Sequence, residues 1–226
     1  MIPTRIGSSR LKKKNLALLN NKPLIYYSIN AAKKSDVFSK IILNGDDPIF
    51  KKIADRYGVD FYLRPKFLGS STTKSDEVVA DFMRKFQDFD TLVWVNPIDP
   101  FTTSKEIKKV VHFFLKENLD SLITSEEKKV HARYLNKPIN YQEKELFSLT
   151  QDLNSIQLFN YSLMIWNYES FLKDFDKLGF AFFSGKFDLI NLPDKRIIIK
   201  TKEDLIMAEI LLGTHTREIH YDEILD

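Results

Sequence analysis

Lys40-Ile41-Ile42-Leu43-Asn44-Gly45-Asp46-Asp47-Pro48-Ile49-Phe50-Lys51-Lys52-Ile53-Ala54-Asp55-Arg56-Tyr57 reads as one strand, one turn and one helix, and the fold follows from repeating it. Lys40–Leu43 is a short apolar run, and Asn44 to Asp47 is turn chemistry. Pro48 to Tyr57 then places Ile49, Ile53 and Ala54 at helical spacing. Upstream, Pro23 opens a helix where the first turn needs no N–H, with Leu24, Ile25, Ser28, Ile29 and Ala32 on one face. Downstream come a strand at Asp60–Leu63, a polar loop and a helix over Ser71–Phe86 with Val78, Val79, Phe82 and Met83 inward. A continuous apolar strand follows at Thr91–Val95, a helix capped by Ser104 runs to Glu117, and a further strand occupies Ser121–Thr124.

Short strands alternating with helices predict an α/β fold, Rossmann-like, with a mostly parallel sheet and helices on both faces. Residues 125–158 break the rhythm with a polar, Lys-rich stretch. Leu158–Trp166 and Leu189–Ile199, the latter interrupted at Pro193, read as extended segments around a Phe-rich helix at Tyr168–Leu178. This predicts a small antiparallel excursion over 125–166, of the kind that often forms a dimer arm in such folds, within one domain spanning 1–226. Thr201 with Asp204 at N3 starts a last helix that continues to Gly213. The loop at Met1-Ile2-Pro3-Thr4-Arg5 has no apolar strand before it, which leaves either a very short first strand or a start outside this sequence.

The 226 residues are 43% apolar, enough for a real core, and 34 Lys plus Arg against 31 Asp plus Glu leave a formal charge of +3. That balance argues against a nucleic-acid partner. The absence of cysteine removes disulfides, thiolate metal sites and cysteine nucleophiles. No window approaches 18 apolar residues and no secretory layout opens the chain, so the expectation is a cytoplasmic protein with no membrane contact. The four histidines, His112, His131, His215 and His220, show no ligand spacing and are expected at surfaces. The 18 phenylalanines are read as core and dimer packing.

The segment richest in chemistry is Pro3-Thr4-Arg5-Ile6-Gly7-Ser8-Ser9-Arg10-Leu11-Lys12-Lys13-Lys14-Asn15. Small residues let backbone N–H groups approach phosphate oxygens, and Arg and Lys supply positive charge for a triphosphate. It is neither a Walker loop nor GxGxxG, and a solvated basic terminus is the competing reading. Asp46 and Asp47 are read as turn and helix-start residues. Asp99 follows a buried strand, where α/β sites form, and is a candidate metal ligand set against ordinary turn chemistry.

The opening segment resembles that of the acylneuraminate cytidylyltransferase family, approximately I-P-A-R-G-G-S-K-R-x-x-x-K-N. Ile2, Pro3, Arg5, Gly7, Ser8, Arg10, Lys14 and Asn15 match, while Thr4, Ile6 and Ser9 depart. The likeness continues at Lys22-Pro23-Leu24-Ile25, Asp46-Asp47, Tyr57-Gly58, Leu63-Arg64-Pro65, Asn96-Pro97, Pro100-Phe101, Gln151-Asp152-Leu153, Asn160 and Thr201 with Glu203-Asp204-Leu205. The Q-G-D-E-P stretch of the octulosonate-specific branch is absent at Asn96–Pro100. The resemblance implies a homodimeric α/β transferase that joins the CMP of CTP to an acidic ketosugar, such as a sialic acid, and releases pyrophosphate with the help of magnesium (Mg2+). It implies that Arg5, Ser8, Arg10 and Lys14 hold the phosphates, Arg5, Arg10 and Lys14 being the catalytic cations. Gly7, Asn15 and Arg64 would lie around the nucleotide, and Asn96, Gln151, Asp152 and Asn160 around the sugar.

Three departures bear on mechanism. Family members carry D-x-D before T-P-E-D-L, two carboxylates that hold the metal, whereas this chain reads Ile198-Ile199-Lys200 there. Ile6 stands where the loop has a glycine and is expected to add bulk beside the phosphates. The family's N-G-A becomes Asn160-Tyr161-Ser162. Beside the transferase, two further readings stay open: a relative that binds nucleotide or nucleotide sugar without turning it over, and an enzyme of the same fold acting on another acceptor.

Overall fold

The computed structural model describes residues 1–192 and 196–213. Along the chain lie β1 (Ile2–Pro3), the ribbon β2 (Leu18–Leu19) with β3 (Lys22–Pro23), α1 (Leu24–Ser35), β4 (Ile42–Gly45), α2 (Ile49–Tyr57), β5 (Asp60–Leu63) and α3 (Ser75–Lys85). Then follow β6 (Thr91–Val95), α4 (Ser104–Lys116), β7 (Ser121–Lys128), the ribbon β8 (Arg133–Tyr134) with β9 (Lys137–Pro138), β10 (Ile156–Asn167), α5 (Tyr168–Leu178), β11 (Phe187–Asn191) and α6 (Lys202–Gly213).

Parallel pairing joins β1 to β4 and β4 to β5. A second group runs β11-β7-β10-β6, in which β10 is antiparallel to both neighbours and β11 is parallel to β7. Met1 stitches the two groups together. Its nitrogen donates to the Val93 carbonyl at 2.8 Å and its carbonyl accepts from Val95 N at 3.0 Å, the slanted pattern of a parallel pair. The first strand is therefore present and very short. Among the seven strands so joined, β10 alone runs against the rest, so the antiparallel excursion lies inside the sheet.

Alternation along the strands divides the core. Leu43, Val93, Val95, Leu163 and Ile165 face α1, α2 and α4, while Ile42, Leu92, Met164 and Trp166 face α3 and α5, so helices cover both faces as expected. The predicted inward faces of α1 and α3 are buried throughout. Ile49 is the exception in α2; it stays exposed while Phe50 is fully buried.

Several boundaries differ from the sequence reading, each for a local reason. β4 extends through Asn44, because that buried side chain is satisfied by Met1 Sδ and by the Arg64 guanidinium. The cap of α4 is Thr103, one residue before Ser104: Thr103 Oγ1 accepts from Glu106 N at 3.2 Å while Glu106 Oε2 accepts from Thr103 N at 2.8 Å. β11 ends at Asn191, short of the extended segment read to Ile199, and Pro193 lies outside the described residues, as do His215 and His220. The cap of α6 is as read, with Asp204 Oδ2 accepting from Thr201 N at 2.8 Å. No helix among the described residues is long and apolar enough to cross a membrane.

Candidate active site

Parallel strands aim their C-terminal ends, and the loops that leave them, at one edge of the sheet. The loops after β1, β5 and β6, with the start of α3, enclose there a cleft of about 240 Å3. Seven residues singled out in the sequence line it: Arg5, Gly7, Ser8, Lys14, Asn15, Arg64 and Asn96. The opening segment is thus folded into a wall. Asp46 fixes it by accepting from Ile6 N at 2.9 Å, Asn15 Nδ2 donates to the Arg5 carbonyl at 3.3 Å, and Arg5 reaches across to the Ser70 carbonyl at 3.0 Å. Asp47 accepts from Ile49 N and starts α2, as read. Ile6 corrects an expectation: it packs against the main core and is not part of the cleft lining, so its bulk lies away from where phosphates would sit. A Cβ built at Gly7 would meet nothing within 4 Å, which leaves that backbone open to a ligand.

The wall of the cleft is rich in cations. Burial, with Arg10, Arg5 and Lys200 nearby, pulls Lys14 down to about 8 although Asp204 opposes it. Its Nζ donates to the Ile199 carbonyl at 3.1 Å. Burial likewise pushes Arg64 below its ordinary value. Arg64 is 5% exposed, and one arm donates to the Asn44 carbonyl at 2.7 Å. Its Nε has no hydrogen-bond partner, nor has the indole N–H of Trp94, another lining residue. Orphaned buried donors at a cleft are what a ligand's oxygens would satisfy.

Other residues assigned by resemblance stand elsewhere. Arg10 is exposed and outside the lining, close enough only to act on Lys14 by charge. Gln151 and Asp152 lie in an exposed 3-10 turn where Lys129 Nζ donates to the Gln151 carbonyl. Asn160 is buried within β10: its Oδ1 accepts from Thr124 Oγ1 at 2.6 Å and from Ser162 N at 3.1 Å, and it pins the irregularity between Phe159 and Met164. There Tyr161 has φ of +56°, a conformation that suits glycine, the residue that the resemblance puts at this position. Tyr161 stays near the site through its carbonyl, which accepts from Asn96 Nδ2 at 3.1 Å. His112 is exposed, and His131 stacks on Phe147 at 4.1 Å.

Asp99 has a task other than the candidate metal role. It is fully buried; Oδ1 accepts from Phe101 N at 3.0 Å, while Oδ2 accepts from Thr102, Ser162 and, at 2.6 Å, Arg196. Arg196 also pairs with Glu106 at 2.5 Å. Sequence reading missed Arg196 because its partners lie 97 and 90 positions away. It also missed Ser70, Thr73, Lys74 and Ser75, which bring the amino end of α3 to the cleft. The polar loop before that helix was the available signal.

The Cytidylyltransferase family model matches residues 1–188. The chain is 26% identical to the N-acylneuraminate cytidylyltransferase of Escherichia coli O18:K1:H7 over 96% of its own length and 55% of that protein's. It is 25% identical to that of Streptococcus agalactiae serotype V over 77% of this chain and 44% of that one. It therefore spans about half the length of these curated relatives. Against the CMP-N,N'-diacetyllegionaminic acid synthase of Legionella pneumophila it is 32% identical over 68% of both chains. In fold it is similar to CMP:2-keto-3-deoxy-manno-octonic acid synthetase solved with CTP, with a TM-score of 0.70 at 13% identity over 94% of this chain and 96% of that one. The cation-lined cleft at the carboxyl edge of the sheet and the family match over residues 1–188 agree that this chain belongs to the cytidylyltransferase family.

Proposed function

We propose that the protein transfers CMP from CTP to an acidic ketosugar, a sialic acid or another nonulosonic acid, with release of pyrophosphate. The observation that carries this reading is the convergence of Arg5, Lys14 and Arg64 on one cleft, with Gly7 open and the Arg64 and Trp94 donors unpartnered. Arg5, Lys14 and the Gly7–Ser8 backbone would hold the triphosphate, and Arg10 would add charge from the rim. Arg64, Asn15 and the α3 start would position the nucleoside. Asn96, at the far end of the cleft, would meet the sugar. The sugar's anomeric oxygen attacks the α-phosphorus, its proton leaves, and the bond to the pyrophosphate oxygen breaks. Fixed cations favour that step by stabilising the charge that develops on the phosphate oxygens.

The cytidylyltransferase class commonly uses a divalent metal, but the residues here do not fit Mg2+. No group of three acidic or histidine side chains is set to hold a metal among the described residues. Asp99 is engaged with Arg196, Asp46 with Ile6, and Asp204 with the backbone of Lys200 and Thr201. A second reading, nucleotide binding without turnover, is favoured by the absence of a carboxylate at Ile198-Ile199-Lys200. Homodimerisation through 125–166 also belongs to the proposal, supported by the exposed Tyr134, Leu135, Leu146 and Phe147 on that segment. So does a cytoplasmic setting, where CTP is available. The test is pyrophosphate release from each nucleoside triphosphate against acidic eight- and nine-carbon sugars. Release confined to CTP and one sugar supports the transferase. Silence with CTP still raising the melting temperature supports the second reading.

A further inference from the structure

The edge of the cleft next to the opening segment adds Lys200 to the cations that the transferase reading already uses. Lys14 donates to the carbonyl of Ile199, which ties the opening segment to the stretch 198–200. Arg5 and Lys14 line the cleft, and Arg10 and Lys200 stand close enough for their charges to act on Lys14. Four cations therefore gather at one end, and Asp204 is a carboxylate that acts on Lys14 against them. That carboxylate already accepts from the backbone N–H groups of Lys200 and Thr201, each at 2.8 Å. Asp46 is held by Ile6 N and lies close against Gly69, where a Cβ would collide with it. Ile199 is fully buried, held by the Ile98 carbonyl at 2.8 Å and packed with Leu19, Leu24 and Ala208, so this stretch cannot simply turn to offer other groups.

Resting on the nucleotide reading above, we infer that the cleft takes its nucleoside triphosphate free of divalent metal, with Arg5, Arg10, Lys14 and Lys200 meeting the phosphate charge. A hard dication needs several free oxygen ligands, and this end of the cleft offers ammonium and guanidinium groups instead. A metal–triphosphate complex brings extra positive charge among those cations. The free triphosphate brings the negative charge that relieves their mutual repulsion.

Titration calorimetry of CTP into the full chain, once in EDTA and once in Mg2+, tests this directly. The expected result is an affinity in EDTA equal to or tighter than in Mg2+. Lys200→Ala, a change at an exposed side chain, should weaken binding in EDTA by about tenfold, as loss of a close charge partner does. Lys200→Asp should make CTP binding depend on Mg2+, and an unchanged melting temperature of each free variant shows that the fold is intact. CTP binding about tenfold or more tighter in Mg2+ than in EDTA overturns the inference while leaving the nucleotide reading in place. Unaltered EDTA affinity in Lys200→Ala overturns the assignment of Lys200. No binding under either condition overturns the nucleotide reading, and this inference with it.

Discussion

Lys14 and Arg196 are both cations at the carboxyl edge of the sheet, and the structure treats them in opposite ways. Arg196 is 4% exposed at its side chain and faces two carboxylates, Asp99 at 2.6 Å and Glu106 at 2.5 Å. Lys14 reaches one backbone carbonyl, has other cations around it, and is pulled down to about 8. One charge is met by two carboxylates within the fold, and the other stands at the cleft with Arg5, Arg10 and Lys200 nearby. The difference separates scaffold from site more sharply than residue type does, since a buried charge is tolerated only when paired.

The largest expected effect lies on the scaffold side. Asp99→Ala removes the fully buried carboxylate that Arg196, Thr102 and Ser162 share, and should destabilise the fold by about 3 kcal/mol in urea denaturation. A change below about 1 kcal/mol there would dissolve the contrast. On the site side, Lys14→Met should leave stability equal or slightly higher, because it removes a strained charge. It should weaken CTP binding by roughly 1–3 kcal/mol in calorimetry. Arg10→Ala should weaken CTP less, by about 1 kcal/mol or under, with a salt-dependent deficit, because Arg10 acts from the exposed rim. The smallest effect is at Tyr161, where φ is +56°. Tyr161→Gly relieves the left-handed strain while loosening the unfolded chain, so thermal melting should show a change within about 1 kcal/mol. A larger loss would mean that the Tyr161 ring, edge-on to Phe159 at 5.9 Å, carries more of the packing than its 42% exposure suggests.

The same contrast decides what the sequence could show. Local pattern revealed α1, α3 and α5, because their apolar spacing answers directly to one sheet face. The opening segment stood out because small and basic residues adjoin one another in the chain, and Arg5, Gly7, Ser8, Lys14 and Asn15 do line the cleft. The boundary of β4 was not, since Asn44 belongs to the strand only through the distant Arg64 and Met1. Asp99 read as turn chemistry or a candidate metal ligand; its bond from Phe101 N is turn chemistry, while its pairing with Arg196, 97 positions on, was not legible. Asn160 read as a sugar contact, yet its Oδ1 is engaged inside the sheet by Thr124. Trp94 looked like another strand residue, and only the packing shows that it lines the cleft and that its buried indole N–H has no partner.

Lys14 also gives the account its pH signature. Its value in the folded chain, about 8, lies below the ordinary 10.5, so the charged form is disfavoured by folding. The free protein should therefore gain stability as pH rises from about 8 toward 10.5. A triphosphate beside Lys14 reverses that preference, so binding in this window must draw in a proton. The most direct test is calorimetric titration of CTP at about pH 8.5 in two buffers of different ionisation heat, on the wild type and on Lys14→Met. The account predicts net proton uptake approaching one per CTP in the wild type and none in the variant. Equal affinity and equal proton exchange in the two proteins would contradict it.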